Sequence, residues 1–118
     1  MVRFSILFHL LIVLLTFGHR HVNAQQANTI EDAARIQLDK EVSSGKLKAK
    51  IDKAGIKGTY RFDITIQGKG DVLTVFAYSN DLTDIPSQNA LKTLVQNVKF
   101  DLYVPDGVRV KFYYIFNL

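Results

Sequence analysis

The sequence predicts an α+β fold, a two-layer sandwich whose antiparallel sheet of about three strands is covered on one face by helices. Aromatic residues are absent from residues 25–59, whereas ten lie between Tyr60 and Leu118. The apolar period changes from about four to two near Gly58, and a second helical stripe at 90–98 separates the first strand-like runs from a last one. Runs of this kind place helices together on one side of a sheet.

Residues 1–24 read as a secretory signal peptide. Arg3 is followed by the apolar run 4–17, then Gly18 and a polar stretch ending Val22-Asn23-Ala24, so cleavage is expected before Gln25. The run has 14 residues, short of the roughly 20 that a membrane-crossing helix needs. The expected location is periplasmic or secreted, with no membrane span after cleavage. The leader takes His9, His19, His21, Arg3 and Arg20 with it, leaving 13 cations against 11 acids and neither histidine nor cysteine. Thiol nucleophiles, imidazole bases, disulfides and zinc sites are thereby excluded from the mature chain, and no enzyme, cofactor or metal site is expected. The small net charge argues against nucleic acid as a partner.

Residues 25–46 are expected to form a peripheral helix and linker, and residues 47–118 the domain proper. Thr29-Ile30-Glu31-Asp32 offers a hydroxyl cap followed by acids. Ile30, Ala34, Leu38 and Val42 then line one face until Ser43-Ser44-Gly45 ends the helix. That stripe either packs on its own domain or docks a partner. Leu47–Ala54 predicts a second short helix before Gly55.

Tyr60, Phe62, Ile64 and Ile66 alternate with Arg61, Asp63, Thr65 and Gln67, the pattern of a strand with one buried face. Gly68-Lys69-Gly70-Asp71 is a turn into a second strand at 72–78, giving an antiparallel hairpin. Pro86 suits a first helical turn that Asp84 or Ser87 can cap. Ala90, Leu91, Leu94, Val95 and Val98 form the apolar face of that helix, which should lie across the sheet. Leu102-Tyr103-Val104 offers a short strand before the turn Pro105-Asp106-Gly107. In the last strand Val108, Val110, Phe112, Tyr114, Phe116 and Leu118 face inward, with Arg109, Lys111, Tyr113, Ile115 and Asn117 opposite.

With these elements in place, the run Ala54-Gly55-Ile56-Lys57-Gly58-Thr59-Tyr60-Arg61-Phe62-Asp63-Ile64 resembles the opening of the C-terminal domain of TonB-type energy transducers. A short helix there leads through a Gly-Ile-x-Gly step into an alternating strand. The order that follows is also similar: glycine turn, second strand, amphipathic helix, irregular stretch, and a last strand ending aromatic-x-Leu, here Phe116-Asn117-Leu118. Both prolines, Pro86 and Pro105, lie inside the domain, so the proline-rich arm of a transducer has no counterpart and the likeness is to a stand-alone domain.

The resemblance implies a non-catalytic module of the cell envelope that captures an extended peptide or partner protein by β-strand addition at a sheet edge. It also implies an outer-membrane receptor segment as partner, in a transport setting. The edge it points to is the last strand, with Arg109, Lys111 and Tyr113 facing away from the core. The cations serve either recognition or the prevention of unwanted pairing, and Tyr113 either meets a ligand or packs beneath the N-terminal helix. The alternative function is assembly: self-association as a homodimer, or docking into an envelope complex through the N-terminal helix or the edge strand.

Overall fold

In a sheet covered on one face only, a strand turns its apolar residues to the covered face and its polar residues to the other. In the computed structural model, which describes residues 24–78 and 84–118, the alternating run after Gly58 is that strand. The elements in chain order are α1 (Ala24–Ser43), α2 (Lys46–Ala54), β1 (Thr59–Gln67), β2 (Asp71–Ala77), α3 (Ile85–Gln96) and β3 (Arg109–Asn117). The sheet order is β2-β1-β3, antiparallel throughout. Residues 1–23 of the expected signal peptide lie outside the described residues; the expected cleavage bond, Ala24–Gln25, falls at the first residues of α1.

Phe62, Ile64 and Ile66 of β1 are fully buried, while Arg61, Asp63, Thr65 and Gln67 are half-buried on the other face. Register with β3 is unbroken from Thr59 opposite Asn117 to Gln67 opposite Arg109. Register with β2 slips once, between Thr65 and Ile66. Val110, Phe112 and Phe116 of β3 and Val75 of β2 join β1 on the inner face. Phe62 and Phe116 lie 5.5 Å apart, and Phe112 meets Phe100 edge-on at 6.1 Å.

All the helices among the described residues cover that inner face. α1 lies against β3, α3 against β2, and α2 bridges the two helices. The stripe of α1 is therefore core rather than periphery: Ala34 and Leu38 are fully buried, and Ile30 and Val42 pack against the same cluster. The helix also starts earlier than expected. It already includes Ala24, and the Thr29 hydroxyl donates to the Gln25 carbonyl one turn back instead of capping an N-terminus. Ser43-Ser44-Gly45 does end it, with the Ser44 and Gly45 amides both donating to the Lys40 carbonyl.

Asp84 caps α3 by accepting from the Ser87 amide, and Pro86 occupies the first turn. Leu91 and Val95 are buried; Ala90, expected on the same face, is exposed. The segment between α3 and β3 contains no strand at Leu102-Tyr103-Val104. It is held by single backbone bonds, Phe100 amide to Gly70 carbonyl at 2.9 Å and Val104 amide to Gly68 carbonyl at 2.7 Å. Gln37 of α1 clasps the same segment, donating to the Lys99 carbonyl and accepting from the Asp101 amide. These bonds bury Phe100 and Val104.

Gly70 shows why the hairpin turn needs glycine. Its φ is +91°, and a Cβ there would stand 1.9 Å from the Phe100 carbonyl oxygen. Gly107 shares the left-handed backbone, with φ +75°, but faces open space. Gly70→Ala should destabilise the fold by more than about 2 kcal/mol, because neither backbone can yield without losing the Phe100 bond. Gly107→Ala should cost only about 1 kcal/mol, the strain of a left-handed alanine. Denaturant unfolding of both variants checks the contrast. Leu38→Ala should cost about 2–5 kcal/mol; a loss within about 0.5 kcal/mol, typical of surface positions, would mean that α1 lies outside the core.

Candidate functional site: the open edge and outer face of the sheet

β3 is an edge strand, and its register fixes which backbone groups point away from the sheet. Gly58 and Leu118 exchange both of their backbone hydrogen bonds, so the even-numbered residues of β3 pair with β1. The amides and carbonyls of Arg109, Lys111, Tyr113 and Ile115 are directed outward. Among the described residues, the one group seen to take up an outward backbone group is Arg35 of α1, whose Nε donates to the Tyr113 carbonyl at 3.3 Å.

The same odd-numbered residues project their side chains onto the sheet face that carries no helices. Arg109, Lys111 and Tyr113, the residues expected at this edge, are all exposed there. The uncovered face also shows large apolar groups: Phe76 is 59% exposed, Tyr78 58%, Tyr113 47% and Ile115 45%. Such a cluster on one face is more than the scatter of single apolar residues that any surface carries.

Arg61 organises this face. From the central strand its guanidinium sits 4.5 Å from the Tyr78 ring and 4.5 Å from the Tyr113 ring, between the two. Arg35 comes over the edge of β3, 5.2 Å from the Tyr113 ring and 5.9 Å from that of Phe112 on the inner face. The result is a ladder of Tyr78, Arg61, Tyr113 and Arg35, in which each cation is attracted to a ring quadrupole. Arg35 also has distant acids in Glu31 and Asp32, each at 3.8 Å. No ion pair engages Arg61 among the described residues, and its buried Nε has no hydrogen-bond acceptor.

Tyr113 thus faces outward and at the same time meets the N-terminal helix, through Arg35. Arg61, Tyr78 and Phe76 were not among the residues singled out from the sequence. Strict alternation in β1 already placed Arg61 on the outer face, so its side was legible. Its tyrosine neighbours come from β3 and from the residue just past β2, and only strand order brings them together.

On the inner side of β3, Tyr114 ties the edge to α1. Its hydroxyl donates to Asp39 Oδ1 at 2.5 Å, and its ring meets Phe116 at 4.6 Å. Burial, and then the bond to and negative charge of Asp39, push the phenol well above its ordinary value of 10.0. A raised folded-state value means that this contribution to stability is present below the ordinary value and is lost as pH rises through the folded one.

No helix among the described residues is long and apolar enough to cross a membrane. Comparison with family models, with curated proteins and with solved structures gives no match. The architecture itself is that of a two-layer α+β sandwich, three helices on one face of a three-stranded antiparallel sheet.

Alkaline titration followed by phenolate absorbance should show one tyrosine ionising only far above the ordinary range, together with loss of fold. Tyr114→Phe should remove that late step and leave the other tyrosines as they were. A late step that persists in the variant would assign it to another residue.

Proposed function

We propose that the protein is a non-catalytic binding module of the periplasm or extracellular space that captures an extended peptide or partner protein by strand addition along β3. The observation that carries this reading is the outward row of backbone donors and acceptors at Arg109, Lys111, Tyr113 and Ile115 on an edge strand. An incoming strand satisfies such groups in the manner of a sheet neighbour, while side chains beside it select its sequence. The likeness of residues 47–118 to TonB C-terminal domains supports the same edge, and an outer-membrane receptor segment is the partner class it favours.

Arg35 gives this edge a condition. Its bond to the Tyr113 carbonyl occupies the middle of the row, so a strand pairing along the whole of β3 must displace it. Helix and strand remain joined without that bond, through Tyr114 and Asp39 and through the buried Ala34 and Leu38. The assembly reading is weaker at α1, because the apolar stripe a docking helix would present is already spent on the protein's own core. Self-association is left with the edge strand.

A receptor-derived extended peptide should slow hydrogen exchange at the amides of Arg109, Lys111, Tyr113 and Ile115 by at least about tenfold. Lys111→Pro should abolish this protection, because its amide faces away from β1 and a proline there removes an outward donor without breaking the ladder. Protection confined to α1 would favour assembly instead, and an unprotected β3 would reject strand capture.

A further inference from the structure

The uncovered face is a different surface from the edge, and its chemistry is more particular. Arg61, Arg109 and Lys111 stand on it and Arg35 over its edge; among the described residues its acids are Asp63, opposite Tyr113 and Phe76, and Asp71, opposite Gln67 at the far end and paired with Lys99, while Glu31 and Asp32 stay beside Arg35. A cation between two aromatic rings is oriented and partly desolvated, so the charge it presents is stronger and better placed than that of a free surface arginine. Arg61 Nε is buried and out of reach from outside, so an incoming carboxylate meets the half-buried guanidinium through its terminal N–H groups.

We infer that this face, centred on Arg61, docks a carboxylate-rich protein segment carrying apolar side chains between its acids. The carboxylates engage Arg61, Lys111 and Arg109, and the apolar side chains cover Phe76 and Ile115. Charge decides against the other occupants. A second copy would set two basic faces against each other. A single-stranded nucleic acid needs free aromatic faces for its bases, and guanidinium groups already lie over Tyr78 and Tyr113. The inference goes beyond strand addition, since Arg61 lies on the central strand and takes no part in the β3 edge.

The test uses the folded protein and a peptide of alternating glutamate and phenylalanine, followed by amide chemical shifts and by titration. Binding should perturb Arg61, Asp63, Phe76, Tyr78 and Tyr113, weaken with added salt, and fall by at least about tenfold for the glutamine counterpart. Arg61→Gln should lower affinity by at least about tenfold, consistent with loss of a charge-assisted pair. Arg61→Lys, which keeps the charge and stem without the planar fork, should lower it by at least about threefold and serves as the second variant if the first fails to fold.

Equal affinity for the glutamate and glutamine peptides would overturn the inference. So would unchanged binding by both variants, or tighter binding of oligothymidylate or phosphatidylserine vesicles than of the acidic peptide. Hydrogen exchange separates the two surfaces. Loss of binding in Arg61→Gln without protected β3 amides upholds docking on the face even where strand capture fails; protected β3 amides with undiminished affinity in that variant reject it.

Discussion

Because β1 is hydrogen-bonded on both flanks and buried on one face, every other feature of the molecule has to accommodate a three-stranded sheet that cannot close on itself. Three strands are too few to form a barrel, so among the described residues two edges and both faces remain for other elements to cover. The three helices among the described residues all go to the inner face, where Phe62, Ile64, Phe112 and Phe116 need burial most. Among the described residues, the outer face is left to side chains alone.

What covers the outer face in place of a helix is a set of cation–ring contacts. Arg61 lies between Tyr78 and Tyr113, and Arg35 folds over the β3 edge onto the same tyrosine. Long cationic side chains can cover apolar surface with their stems while keeping the charged head near water. The same arrangement holds the cationic heads of Arg61 and Arg35 on or beside that face. Arg35 connects both surfaces to the packing of α1, whose position is set by Leu38, by the Tyr114 to Asp39 bond and by the clasp of Gln37 on the segment around Phe100.

That clasp explains why the irregular segment between α3 and β3 is ordered without being a strand. Its bonds go to glycine carbonyls of the hairpin turn and to one glutamine side chain, and Gly70 allows the Phe100 backbone to approach closely enough to make them. Asp71 and Lys99 add an ion pair at the same junction. Residues far apart in the chain thus share one corner, where the turn of one hairpin anchors the approach to the last strand.

The sequence by itself determined the α+β class, the alternating faces of β1 and β3, the glycine turn, the capped third helix, and the end of the first helix at Ser43-Ser44-Gly45. These features depend on neighbours within a few residues, whose periodicity and turn chemistry can be read directly. Tertiary structure alone decided that α1 belongs to the core, that Leu102-Tyr103-Val104 is not a strand, and that Arg35 and Arg61 meet Tyr113. An apolar stripe looks the same whether its own domain or another protein covers it. A backbone bond to Gly70 or a guanidinium between two rings depends on strand order, which brings residues together across tens of positions and leaves no local pattern to read.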